Sequence, residues 1–185
     1  MTDGVHSPLN FILREMVQVH KAGLYYAAIT IALTLPDICS KATFEPSDDN
    51  YWRGVQARYE AWCERYLSTR LQSLTAQDIW ALRGGVLHQG QTFGHPKSRF
   101  GRVVFILPDK GNNQFTFGSL SVGGDEVKPV SAISTVTFCT AFLEAANEFL
   151  AATKDNEIVQ KNLEGLIRFR PQGYERYIVG KPVIA

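Results

Sequence analysis

Arg83 and His88, in the run Arg83-Gly84-Gly85-Val86-Leu87-His88, are the two residues whose types and spacing best suit chemistry on a phosphate. Arginine stays charged at cellular pH and presents a planar fork of N–H donors that fits a phosphate and stabilises charge developing on it. Histidine, with a reference pKa of roughly 6.5, serves as base or acid near neutrality. Five residues at about 100° each set the two roughly 140° apart around an ideal α-helix. They share a face only if the helix is distorted or the site spans a two-fold axis. The competing reading is structural. Arg83 would pair with an acidic neighbour such as Asp78 or Glu60, and His88 would cap the negative end of its helix.

Other chemistries find less support. His88 and His95 flank a glycine-rich stretch, while His6 and His20 lie elsewhere, without Asp, Glu or Cys partners at metal-ligand spacing. No metal and no cofactor are expected. Phosphate-loop, dinucleotide-loop and G-x-S-x-G patterns are all missing from the chain. Cys39, Cys63 and Cys139 are odd in number, form no C-x-x-C pair and sit among apolar residues. Buried free thiols in a reducing, cytoplasmic setting are expected. Lys97, Arg99, Arg102 and Lys110, opposed only by Asp109, make the segment after His88 locally basic. That segment is a candidate guide for a nucleic-acid strand. The competing and more ordinary reading is a solvated hairpin edge whose charges discourage pairing with other chains.

The totals bound these readings. With 19 basic against 18 acidic residues the net charge is +1. That balance argues against constitutive, non-specific binding of duplex nucleic acid, which leaves a clear basic excess. The apolar fraction of 45% and charged fraction of 20% belong to a folded chain. One domain is expected across residues 1–185, with no internal repeat or linker. The longest apolar stretch, Leu24 to Leu35, is broken by Thr30 and Thr34. It falls short of the roughly 20 residues of a membrane span, so no membrane contact is expected. Met1 to Leu9 has no basic patch followed by an apolar core, so no signal peptide is expected either.

Mostly helices must position the pair. Ser7-Pro8 opens a first helix with a stripe at Leu9, Ile12, Leu13, Met16, Val17 and His20. A second, apolar nearly all round, carries Leu24 to Leu35, with Pro36 ending or kinking it; it should lie at the centre. Residues 43–50 read as a loop, and an aromatic-striped third helix follows over Tyr51 to Leu67. Thr75 is the expected N-cap of the fourth helix and Asp78 its dipole partner. Gly84 and Gly85 each cost that helix roughly 1 kcal/mol relative to alanine, which close approach of another backbone would offset. Gly90 and Gly94 suit its stop. A β-hairpin is expected at about 100–118, with strands 102–107 and 114–118. Helix returns near Val130 or Ser131, carrying Phe138, Phe142 and Phe149, and again from about Asn156 to Phe169.

Leu82-Arg83-Gly84-Gly85-Val86-Leu87-His88-Gln89-Gly90, late in an all-helical region, resembles the R-x-x-x-x-H signature of the HEPN superfamily (higher eukaryotes and prokaryotes nucleotide-binding domains). Together with Leu35-Pro36-Asp37-Ile38-Cys39 it is similar to a set of small bacterial HEPN-like proteins. The resemblance covers about residues 10–90. It implies a mainly α, up-and-down helical bundle with an inserted β-hairpin. It also implies metal-independent RNA cleavage by a homodimer whose Arg and His residues line one shared groove, in a toxin-like or defence role with a protein partner or inhibitor. Carried onto this chain, Arg83 holds the scissile phosphate and His88 moves a proton; if the nuclease reading holds, the basic Lys97, Arg99 and Arg102 are the candidate guides for the strand. Catalytic members usually carry a polar residue directly after the Arg, where this chain has Gly84. The alternative is a non-catalytic HEPN-like module that binds nucleotide or protein.

Overall fold

A computed structural model describes residues 7–92, 98–108, 119–120 and 128–185. The chain is mainly helical, and its second helix is the hub. α2 (Tyr25–Lys41) touches α1 (Leu9–Lys21), α4 (Val55–Leu67), α5 (Ala76–Gln89) and α6 (Thr135–Ala152). Ala28, Ala32, Leu33, Leu35 and Cys39 on α2 are buried, as its all-round apolar surface requires. Pro36 does not end this helix, which runs on to Lys41. A proline inside a helix removes one N–H and crowds the preceding turn, at a cost of about 3 kcal/mol. Burial against four helices outweighs that. The hydroxyl of Tyr59 on α4 donates to the Leu33 carbonyl of that turn at 3.0 Å.

The expected third helix is two. α3 (Asp49–Trp52) and α4 are separated by Gly54, whose φ of +65° lies in the left-handed region that no right-handed helix continues through. The aromatic stripe on α4 is core, as its spacing implied: Tyr59, Trp62 and Tyr66 are buried, and Phe149 of α6 packs against Trp62 and Tyr66. Trp52, on the α3 side of the break, is left 72% exposed.

The strands depart furthest from expectation. β1 (Arg102–Ile106) lies parallel beside β3 (Val130–Ser134), in register from Arg102↔Val130 to Ile106↔Ser134. β2 (Ser119–Leu120) pairs antiparallel with β3, giving the order β1-β3-β2. The expected partner of β1, residues 114–118, lies outside the described residues, as does the turn at 109–113. Val130 to Ser134, expected to open a helix, is a strand because its alternation buries Ser131 and Ile133 on one face; α6 starts at Thr135. Phe105 of β1 meets Phe138 of α6 edge-on at 5.0 Å, which ties the sheet to the helices.

α7 (Glu157–Glu164) is shorter than expected. The chain after it forms two small antiparallel ladders: β4 (Phe169–Arg170) with β7 (Val183–Ile184), and β5 (Gly173–Tyr174) with β6 (Ile178–Val179). Buried residues from α1, α2, α4, α5, β1, β3, α6 and α7 join one hydrophobic cluster. No helix among the described residues is long and apolar enough to cross a membrane. Phe142 is fully buried in that cluster with its ring 4.7 Å from Phe138. Phe142→Ala is expected to lower the unfolding free energy by about 3–5 kcal/mol, read from urea titration followed by circular dichroism. An unchanged midpoint would show that the cluster does not carry the stability.

Candidate functional site

α5 carries both sequence-selected residues, and each of its ends is fixed differently. At the N-terminus Thr75 and Asp78 form a capping box: Thr75 Oγ1 accepts from the Asp78 N–H at 3.2 Å, and Asp78 Oδ2 accepts from the Thr75 N–H at 2.9 Å. Asp78 is only 2% exposed and takes further bonds from Ser98 Oγ, the Arg99 N–H and Arg99 Nε. Burial pushes this carboxyl up, but the hydrogen bonds from Thr75 and Arg99 outweigh it and hold it below the usual aspartate range. At the C-terminus Gly90 closes the helix with φ +64°. The Tyr26 hydroxyl of α2 donates to the Val86 carbonyl, one of the last four that the helix leaves unpaired, at 3.2 Å.

Between these ends stands Arg83. Its Nε donates to Asp37 Oδ2 of α2 at 2.9 Å, with both side chains about one-fifth exposed. Its Nη1 lies 3.0 Å from His88 Nε2, and its guanidinium sits 5.0 Å from the centre of the Trp80 ring. Trp80 in turn packs edge-on against buried Tyr59 at 5.1 Å. Burial, reinforced by Cys63 and Asp37, pushes the Tyr59 hydroxyl well up, so it stays a neutral donor to the Leu33 carbonyl. The 140° separation is therefore bridged by the length of the arginine side chain, without a second helix. A guanidinium has no acceptor, so His88 Nε2 accepts in this contact and the ring proton sits on Nδ1. His88 is exposed. The described contacts leave Nη2 of Arg83 unengaged.

The acidic partner differs from both candidates named from sequence. Neither Asp78 nor Glu60 meets Arg83: Asp78 belongs to Arg99, and Glu60 accepts from Gln56 at 2.8 Å. Asp37 was legible only as part of a motif, with no role attached. Pro36 was expected to end or kink α2, and the continuation of α2 is what brings Asp37 to Arg83. The basic segment is also redistributed. Arg99 is spent on Asp78 at 2.7 Å and on the Ser73 carbonyl at 3.0 Å, so its geometry is that of a brace. Arg102 is exposed on β1 and has a partner of its own, and Lys97 lies outside the described residues, as do His95 and Gly94. At Gly84 the expected close approach of another backbone is not seen among the described residues, where a Cβ would meet nothing within 4 Å.

Among the described residues no group of three or more His, Cys, Asp or Glu is placed to hold a metal ion. The three cysteines are free and buried, and burial pushes their thiols up, that of Cys139 to about 12, so none is a ready thiolate. No protein-family model, curated protein or solved structure matches the chain.

The Asp78 network makes a pH prediction. Its carboxyl is held low in the folded chain, so its contribution is complete above the unfolded value of about 4 and fades as pH falls through the lower folded value. Asp78→Asn should cost about 1–3 kcal/mol at pH 7 and flatten the acid limb of the stability curve, measured by urea midpoints from pH 2.5 to 7. A variant as acid-sensitive as the wild type would assign that limb to other carboxylates.

Proposed function

We propose that the chain is a metal-independent endoribonuclease of the HEPN kind, working as a homodimer in the cytoplasm, with Arg83 and His88 as its catalytic pair. The observation that carries this reading is the 3.0 Å contact between the two side chains, with Arg83 braced by Asp37 and His88 open to solvent. RNA carries its own nucleophile, the ribose 2′-hydroxyl, so the protein has only to move protons and stabilise the charged phosphorane. An incoming phosphate replaces His88 Nε2 as the acceptor for Arg83 Nη1, and Nη2 is available for a second bond. Nε2, released, takes the 2′-hydroxyl proton as the 2′-oxygen attacks phosphorus. The 5′-oxygen leaves with a proton from a second acid, leaving a 2′,3′-cyclic phosphate and a 5′-hydroxyl. His88 of a second copy supplies that acid, which is why one protomer is insufficient. The bare flank at Gly84 leaves room for such an approach.

A second reading, a non-catalytic HEPN-like module for nucleotide or protein, draws on one observation: Arg83 already has a carboxylate partner, as a structural arginine would. Cleavage of a labelled RNA in EDTA decides between them. The wild type is expected to give 2′,3′-cyclic ends, and His88→Ala and Arg83→Ala to lose at least about 10²-fold in rate while remaining folded. Light scattering should return twice the mass of the chain. Equal cleavage by all three proteins, or none by any, would remove the catalytic assignment and favour the binding module.

A further inference from the structure

If Arg99 is a brace, the cations that carry a strand to Arg83 must come from elsewhere, and the fold supplies them on the other side of Asp37. A groove of about 520 Å³ runs between the C-terminal half of α2 and the end of α7. Asp37, Ile38 and Lys41 line it from one side, and Lys161, Asn162 and Leu166 from the other. Asp37, which holds Arg83, is the one carboxylate among its lining residues, and the guanidinium offsets its charge. Lys41 and Lys161, from separate helices, bring two ammonium groups to the groove, and Lys41 has a contact of its own there. Its walls are fixed: Asn162 Nδ2 donates to the Ala42 and Phe44 carbonyls at 2.9 and 2.8 Å, clamping α7 onto the end of α2. At the α2 rim Lys41 Nζ lies 4.6 Å from the ring centre of Trp52, the large aromatic face left 72% exposed by the break at Gly54.

We propose that this groove is the single-stranded RNA subsite of the Arg83–His88 centre, with backbone phosphates on Lys41 and Lys161 and a base stacked on Trp52. The pattern is that of sequence-tolerant single-strand binding: ammonium groups along a track, an exposed aromatic ring beside it, and apolar surface at Ile38 and Leu166 for the sugar and base. A volume of this size suits one or two nucleotides rather than a duplex. The near-neutral charge of the whole chain is no obstacle, because only the local field acts on the strand. The proposal rests on the ribonuclease reading for what happens at Arg83, but its binding prediction stands apart from it.

The test is fluorescence anisotropy of a labelled 12-nucleotide single-stranded RNA with the full chain in EDTA. His88→Ala serves as the background, so that binding is read without cleavage. In that background Lys161→Ala should weaken binding about five- to tenfold and lower the slope of log affinity against log salt by about 0.7. Trp52→Ala should weaken it by at least about fivefold. Both side chains are exposed, so the variants should keep the parent melting temperature, and Lys21→Ala, in a groove between α1 and α6, should bind like the parent. RNA binding unaffected by Lys161→Ala, Lys161→Glu and Trp52→Ala would overturn the groove while leaving the catalytic pair intact. No RNA binding at all, or preference for an acidic peptide over RNA, would also overturn it. Binding lost in these variants without any cleavage by wild type would keep the groove and remove the nuclease.

Discussion

The ion pair between Asp37 and Arg83 is the constraint on which the candidate site depends. It joins the central helix α2 to α5, and it exists only because α2 continues through Pro36. If α2 stopped at Pro36, Asp37 would sit in a loop and Arg83 would be free to extend into water. Instead the packing of α2 against four neighbours holds the proline in helix, with Tyr59 bonded to the turn that the proline crowds. The same Tyr59 supports Trp80, over which the guanidinium lies. Core packing, backbone accommodation and placement of a charged group are thus one connected arrangement, and Arg83 is positioned from below as well as from the side.

Two carboxylate–arginine pairs border α5, and their differences separate structure from function. Asp78 is saturated by a cap, a serine, a backbone N–H and Arg99, and nothing of it faces solvent. A group in that state fixes a loop onto a helix start and has no capacity left for a ligand. Asp37 and Arg83 are partly exposed, and the arginine turns its far side to an exposed histidine. An arginine with one donor on a carboxylate and another on an imidazole holds a geometry that a phosphate oxygen can take over. The saturated pair explains rigidity, and the unsaturated pair is where chemistry has room.

Much of the helical scaffold was legible because its causes are local. The Thr75–Asp78 cap, the Gly90 stop, the buried stripe of α4 and the central place of α2 follow from periodicity, capping chemistry and side-chain polarity. What was not legible depended on partners distant in sequence. Val130 to Ser134 has no short-range signal separating a strand from a helix start, and its pairing with β1 across more than twenty residues decides the matter. Gly54 breaks a periodic aromatic pattern that reads as one helix from Tyr51 to Leu67. Arg99 looked like a free cation because Asp78, twenty-one residues earlier, was read as a partner of the helix dipole or of Arg83. The partner of Arg83 was missed for the same reason: local rules leave open whether the helix ends or kinks at Pro36, and only tertiary packing carries it on through Asp37.

The contact between Arg83 and His88 also sets an order of events at the site. An imidazole that accepts from a guanidinium is unprotonated at Nε2, and adding a proton there converts the pair into two neighbouring cations. In the proposed reaction a phosphate oxygen therefore replaces Nε2 as the acceptor on Arg83 before Nε2 takes up a proton. In that reading Asp37 keeps the guanidinium in place while its partner changes from nitrogen to oxygen, which a freely extended arginine would not manage without an entropic cost. Among the described residues nothing lies over the missing side chain of Gly84, the neighbour of Arg83 in the chain, so this part of α5 has room for a second copy in the proposed homodimer.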